Sequence, residues 1–443
     1  MKTAVIVLLS VPVWAQSPLS LKDAVRLALD KHPSIEAVAA EVRAAQTRIR
    51  EARSGFLPKL NYTESWQRSD NPVFVFSSLL TQHQFSEQNF AIGPLNRPAA
   101  MNNFQSQVAL DQTVWDAGMT KGRVRSAELG EQAAGEDQRR TRLELIAGVV
   151  RFYNGVVLSQ ESLKVAREAV RSAAADLKRA ETVRGAGMAT DADVLAIRVH
   201  LAGMREQEIR RAYDEEIARA ALNDALGLPL ETRHEVTTPL TPLAAMETPI
   251  ARQEESARES RPEARQVRLS ASLAQTQSQT ARSALLPQVS FRVAFEADRQ
   301  RFVNRGGANW FAGAFVRWNL FNGFADKARI AEANEAIIRA KAQERQVASA
   351  VSLQVRRAYL DLKAAEERIQ VAEAAVAEAE ENLRIVKNRY ENGLNNVTEL
   401  LRSETALLET SLRRLVAVHD QRLAAAALEL AAGILSADSS VLN

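Results

Sequence analysis

A 4-3 spacing of apolar and small residues runs through Leu145, Val149, Phe152, Val156, Ser159, Leu163, Ala166, Val170, Ala173, Leu177 and Ala180. This is the 3.5-residue period of a coiled-coil seam. It predicts one helix from about Met119 to Arg184, roughly 66 residues and about 100 Å long at 1.5 Å per residue. The same phase returns at Val351, Val355, Ala358, Leu362, Ala365, Ile369, Ala372, Val376, Ala379, Leu383 and Val386, and predicts a second long helix over about 325–390. Alanine fills every other seam position from 358 to 379, which lets helices approach closely. Shorter helices are predicted over about 20–53, 190–226, 251–282 and 396–433. The first two, roughly 34 and 37 residues, laid end to end match the length of the long helix beside them. Gly185-Ala186-Gly187 and Asn392-Gly393 break the pattern and turn the chain. Glu, Arg and Gln between the seams are read as water-facing surface.

Between the helical blocks the period changes to two. Val289, Phe291, Val293 and Phe295 alternate with Gln288, Ser290, Arg292 and Ala294. Leu60, Tyr62 and Trp66 alternate with Lys59, Asn61 and Thr63, although Glu64 interrupts the apolar face. Phe104 to Asp116 and Asn309 to Phe321 are the expected return strands. Trp66, Trp115, Trp310 and Trp318 fall in or near these segments, where interfacial aromatics of membrane strands sit. Four strands cannot close a membrane barrel, and open edges are not tolerated in lipid. A barrel built from this chain must be shared, with two copies giving eight strands or three giving twelve.

The chain is written twice. Pro33 returns at Pro262 and Pro58 at Pro287, an offset of 229 in both cases. Trp115, Tyr153, Gly187 and Gly227 correspond to Phe321, Tyr359, Gly393 and Gly433, an offset of 206. The difference, 229 − 206 = 23, is one insertion between Pro58 and Trp115. The organisation is then a signal peptide over 1–15, a first repeat over 16–227, a connector over 228–250, a second repeat over 251–433 and a tail over 434–443. The connector carries Pro229, Pro239, Pro242 and Pro249 and reads as non-helical. The hairpin loop 67–103 holds Phe74, Phe76, Phe85 and Phe90, enough aromatics for a folded loop.

Residues 1–15 combine Lys2, an apolar run from Ala4 to Val13 and small residues in Val13-Trp14-Ala15, the marks of an export signal. The run is too short to span a bilayer. With no cysteine in the 443 residues, disulfides, thiolate metal sites and cysteine nucleophiles are excluded. Basic and acidic residues number 57 and 54 and are interspersed, so no basic stripe points to nucleic acid. Histidines 32, 83, 200, 234 and 419 show no metal-binding spacing, and no phosphate loop or nucleophile elbow is present. No enzyme, cofactor or metal is expected. The residue pattern leaves two readings: an export duct inserted in the outer membrane, or a periplasmic coiled-coil adaptor or scaffold outside it. An adaptor should carry a lipoyl-like or barrel domain between its helical arms, and only two strand hairpins are visible.

The arrangement resembles the TolC-like outer-membrane efflux protein family over about residues 18–433. The likeness rests on Leu19-Ser20-Leu21-Lys22-Asp23-Ala24-Val25, the Leu57-Pro58 and Leu286-Pro287 junctions, and Leu320-Phe321-Asn322-Gly323. Its most specific stretch is Arg389-Tyr390-Glu391-Asn392-Gly393 followed by Val397-Thr398-Glu399-Leu400-Leu401. The resemblance implies a mainly α protomer with a small β part. It implies a homotrimer whose twelve-stranded barrel in outer-membrane lipid continues into a twelve-helix periplasmic tunnel, and as partners a periplasmic adaptor and an inner-membrane pump. It also implies a gate at the periplasmic tip, which falls here on Asp193, Tyr390, Glu399 and Arg402, and adaptor-contacting turns at Gly187, Met188, Gly393 and Leu394. Two positions depart from the family pattern: Arg402 stands where an acid is expected, and Asn395 where some members are basic. Asp193 and Glu399 also lie in first helical turns, where the helix dipole alone favours a carboxylate.

Overall fold

The computed structural model describes residues 17–186, 189–245, 249–303 and 306–443; residues 1–15, where a signal peptide is expected, lie outside them. The chain begins with β1 (Ser17–Leu19), α1 (Leu21–Lys31), α2 (Pro33–Arg53), β2 (Lys59–Ser69), α3 (Pro72–Thr81), α4 (Ile92–Asn96) and β3 (Met101–Trp115). There follow α5 (Met119–Gly185), α6 (Asp191–Leu226), β4 (His234–Val236), α7 (Ile250–Ser260) and α8 (Pro262–Ser283). The last are β5 (Gln288–Arg299), β6 (Gly307–Arg317), α9 (Ala325–Glu391) and α10 (Val397–Ala432). Both predicted long helices are present, each of 67 residues.

Two of the expected shorter helices are broken. The segment 20–53 divides at His32, and 251–282 divides at Arg261, each immediately before a proline. Both residues sit in extended backbone, with φ −69° and ψ 129° at His32 and φ −67° and ψ 130° at Arg261. Proline disfavours helical backbone in the residue before it, which accounts for both breaks. Across each break lies a glycine that ends another helix. Gly227 caps α6 at φ 68° and Gly433 caps α10 at φ 72°. A Cβ on Gly227 would meet His32 Cα at 3.0 Å, and one on Gly433 would meet Arg261 Cα at 3.1 Å. The left-handed backbone and the close approach both call for glycine.

The chain forms two compact units, each drawing on both repeats. The first comprises residues up to 40, 136–266 and 345–443. All the seam positions of α5 and α9 lie here, and each is buried or half-buried. The largest core cluster includes Leu21, Val25, Val149, Tyr153, Leu226, Leu428 and Leu442. Within the connector, β4 pairs in parallel with β1, Ser17 facing His234 and Leu19 facing Val236. Tyr153 fastens this pair: its hydroxyl donates to Leu19 O at 2.7 Å and accepts from the backbone of Thr237 and Thr238 at 3.0 and 2.9 Å. The tail joins the core through Leu435, Val441 and Leu442.

The second unit comprises 41–135 and 267–344. Its four strands form one antiparallel sheet in the order β2-β3-β5-β6. One face carries the rows Leu60-Leu110-Val293-Ala312 and Tyr62-Val108-Phe295-Trp310. The other carries Lys59-Asp111-Arg292-Gly313 and Thr63-Gln107-Glu296-Asn309. The apolar row is the exposed one, with Tyr62, Phe295 and Trp310 at 66, 53 and 77%. Glu64, on the apolar face, is satisfied by its neighbours: it accepts from Tyr62 at 2.7 Å, from Arg299 at 3.0 Å and from the Ser106 hydroxyl. The strands run to Ser69 and start again at Met101, so the loop is 70–100 and contains α3 and α4. It is folded, as its aromatics predict: Phe85 packs edge-on against Phe76 and Phe90. The last strand stops at Arg317, short of the expected Phe321.

Candidate functional site

The helix ends at 185–191 and 391–397 carry the residues expected to act. Each following helix starts on a side-chain cap, which fixes where the first turn points its acids. The Thr190 hydroxyl accepts from Asp193 N at 3.2 Å, and Asp193 Oδ2 accepts from Thr190 N at 3.1 Å and from the Thr190 hydroxyl at 2.7 Å. This reciprocal box completes the start of α6. On α10, Asn396 Oδ1 accepts from Glu399 N at 3.0 Å. Gly393 makes the turn at φ 72°, and Leu394 beside it stands 69% exposed. Gly187 and Met188 lie outside the described residues.

The fold gathers Asp193, Tyr390 and Gly393 around one cavity of about 660 Å³, together with Arg179, Asn396 and Val397. Tyr390 packs against the cluster of Ala180, Val194, Ile197 and Val397, so it touches both hairpins. Burial first, and then the Asp193 and Asp176 carboxylates, raise the Tyr390 phenol above its usual range. Arg179 of α5 pairs with Glu391 of α9. Glu399 and Arg402 do not line this cavity. They form an exposed i, i+3 pair at 3.4 Å on α10. The acid that heads α10 therefore carries its own cation.

A second polar group was not anticipated. Further from the helix ends, between about one and four turns in, Ser172 and Asp176 of α5, His200 of α6, Lys387 of α9 and Glu404 of α10 come together. Lys387 Nζ lies 2.9 Å from Asp176 Oδ1, and His200 Nε2 lies 3.2 Å from Glu404 Oε2. The Ser172 hydroxyl donates to Glu404 Oε1 at 2.9 Å. The two carboxyl groups are neighbours and influence each other's ionisation. Both are buried, with side chains 4 and 7% exposed. Burial, and then the neighbouring Glu404 carboxyl, raise Asp176. Burial also pushes Glu404 up, but His200, Asp176 and Ser172 together outweigh it, and Glu404 lies below the ordinary range. Four different helices supply the charged groups, so no local spacing in the sequence announces them. The available signal is Asp176 itself, a lone acid closing the run Ala173-Ala174-Ala175 beside the seam.

The profile of the family described as "Outer membrane efflux protein" matches residues 24–228 and 255–434. Protein CyaE of Bordetella pertussis is 27% identical over 425 residues, covering 94% of this chain and 84% of that protein. Outer membrane protein TolC of Escherichia coli is 24% identical over 213 residues, 45% of this chain and 41% of TolC. Among solved structures, the CmeC outer membrane channel of Campylobacter jejuni superposes with a TM-score of 0.79 at 17% identity, over 95% of this chain and 87% of CmeC. The outer membrane protein VceC of Vibrio cholerae gives a TM-score of 0.76 at 18% identity, over 93% of this chain and 96% of VceC.

Proposed function

This chain belongs to the outer membrane efflux protein family, and we propose that three copies of it close one twelve-stranded barrel and open a single gated duct. It is an outer-membrane exit duct with a periplasmic extension, and not an enzyme. That excludes the reading as an adaptor outside the membrane. The observation that carries the assembly is the sheet. One face carries the exposed apolar rows ending at Ala312 and Trp310, and the opposite face carries Lys59, Asp111, Arg292 and Glu296, with Phe311 and Phe315 among them, the arrangement of a membrane strand facing lipid outward. Among the described residues β2 and β6 each pair with one strand only, and lipid does not tolerate such edges.

Three copies fit better than two. An eight-stranded barrel has an interior filled by side chains. Lys59, Asp111, Arg292 and Glu296 on the inner face need water around them, which a wider barrel supplies. The helices support a shared assembly as well. Val199, Tyr213 and Ile217 on α6 and Leu353, Leu360 and Val371 on α9 stand exposed in the single chain, and neighbouring copies would cover them. A periplasmic adaptor docks at the hairpin turns around Gly393 and Leu394 and joins the duct to an inner-membrane pump. The mixed signs on the inner face set no strong preference for cargo, so selection falls to that pump. The purified chain reconstituted in a planar bilayer is expected to give discrete single-channel conductance steps. A bilayer that stays sealed with correctly folded protein present would overturn the proposal.

A further inference from the structure

The loop between β2 and β3 holds a helix unsuited to water. No residue of α3 is charged, and only Ser77, Ser78 and Thr81 are polar. A helix apolar all round belongs where neighbours cover every side. In the single chain they cover one: Val75 and Ser78 are buried, while Val73, Ser77 and Leu80 form an exposed stripe at i, i+4 and i+7. The helix is pinned at both ends. Asn71, two residues beyond β2, caps its start and accepts from Val73 N at 2.9 Å and Phe74 N at 3.3 Å. At the other end Thr81 O accepts from the Asn309 side chain of β6 at 3.1 Å. Gln82 donates to Asn103 Oδ1 and Asn102 O of β3 at 2.8 and 3.1 Å, and Asn103 donates to Asp298 Oδ1 of β5 at 2.6 Å. A Cβ on Gly307 would collide with Thr81 O, so only glycine permits this approach. Asn103, Asp298 and Asn309 share the inner face with Gln107 and Glu296. The helix therefore lies across the inside of the sheet, from edge strand β2 to edge strand β6. Its rise of about 15 Å matches the ~14 Å spanned by three strand spacings.

We propose that the α3 helices of three copies meet along the Val73-Ser77-Leu80 stripe and plug the outer mouth of the duct. The inference rests on the shared twelve-stranded barrel. Ser69 and Met101, where the loop leaves and rejoins the sheet, pair at the strand ends away from α2 and α5, which places α3 at the outer mouth. Twelve strands about 4.8 Å apart and tilted about 40° close a barrel roughly 24 Å across between backbones. Three helices of about 10 Å diameter packed around one axis fill a circle of roughly 22 Å, which leaves no open passage. A second copy is the occupant of the stripe because it continues the barrel interface: closure through β2 and β6 carries each α3, fixed on the inner face, toward the common axis. Lipid lies on the other side of the sheet. Ser77, at the centre of the stripe, is small enough for the helices to approach closely. The plug belongs to the 23-residue insertion of the first repeat. Its counterpart in the second repeat leaves only residues 300–306 between β5 and β6.

The absence of cysteine makes a direct measurement clean. In the full chain, in outer membranes, Ser77→Cys and Leu80→Cys are each oxidised with copper phenanthroline. A disulfide between two copies is expected at both positions, and none at Tyr62→Cys on the lipid face. A second measurement reads the closure from outside. Intact cells are treated with a bulky anionic maleimide dye that does not cross the outer membrane. Thr63→Cys, exposed on the inner face, is expected to stay unlabelled behind the intact loop. It should label once a two-residue turn replaces 70–100, which the pairing of Ser69 with Met101 allows. Native mass checks that this variant still assembles. No cross-link at Ser77→Cys or Leu80→Cys, labelling of Thr63→Cys behind the intact loop, or protection that persists without the loop would overturn the plug. Failure of the duct reading shows differently: Glu87→Cys, exposed in the loop, would then not label from outside.

Discussion

Glu399 and Arg402 stand three residues apart in the first turns of α10 and pair at 3.4 Å. Exposed pairs of this kind are weak and screened by salt, so Arg402 offsets the field of Glu399 without removing it. Three copies around one axis would bring three such carboxylates to a constriction, which favours cations. Glu399→Lys is expected to reverse the ion preference of the reconstituted channel and leave folding unchanged. Arg402→Ala should strengthen cation preference, because the compensating charge is gone. Bilayer reversal potentials in asymmetric salt read both effects; no change in either variant would mean that these are helix-start charges only. This pair was legible in the sequence because its partners sit on one helix at a fixed spacing. Asp176, His200, Lys387 and Glu404 were not. Each comes from a different helix, and His200 looked isolated until the fold placed Glu404 against it.

At the scale of elements, the long helices were legible to within a residue, since seam period and glycine breaks both marked them. The breaks at His32 and Arg261 are not legible in the period, although Pro33 and Pro262 directly follow them. Proline is welcome in the first turn of a helix, and apolar periodicity continues across the break. What settles the matter is tertiary: the capping glycine of another helix lies against each break. Gly227→Ala should therefore lower stability by more than Gly393→Ala. Both positions have positive φ, costing about 1–2 kcal/mol for a residue with a Cβ, but only at Gly227 does the new Cβ also meet backbone, while at Gly393 it enters open space. Thermal unfolding of the two variants compares them, and equal losses would show that the contact with His32 carries no weight. The strand β4 escaped notice because three residues among prolines carry no periodicity; its pairing with β1 and the Tyr153 hydroxyl create it. The helices α3 and α4 are illegible for a related reason: at ten and five residues, a short apolar run such as Val73-Phe74-Val75-Phe76 does not distinguish helix from strand or loop.

For the whole molecule, the duplication written in the sequence is not the division into compact units. Each unit takes segments from both repeats: ion pairs join the long helix of one repeat to that of the other, and the strand hairpin of one repeat pairs with that of the other. The sheet shows this most plainly: β3 of the first repeat pairs with β5 of the second along its length. Such a protomer is incomplete by construction. Its inner strand face carries charges, its outer face is apolar, its edge strands pair on one side only among the described residues, and its helices carry exposed apolar side chains. The sequence pattern alone led to more than one copy; the charged inner face argues for the wider of the two barrels it allowed. The most direct test is the native mass of the full chain extracted from outer membranes in detergent. Three copies of the 48.8 kDa chain, less whatever leader export removes, are expected. A folded, monodisperse single chain, or a stable pair, would contradict the shared twelve-stranded barrel.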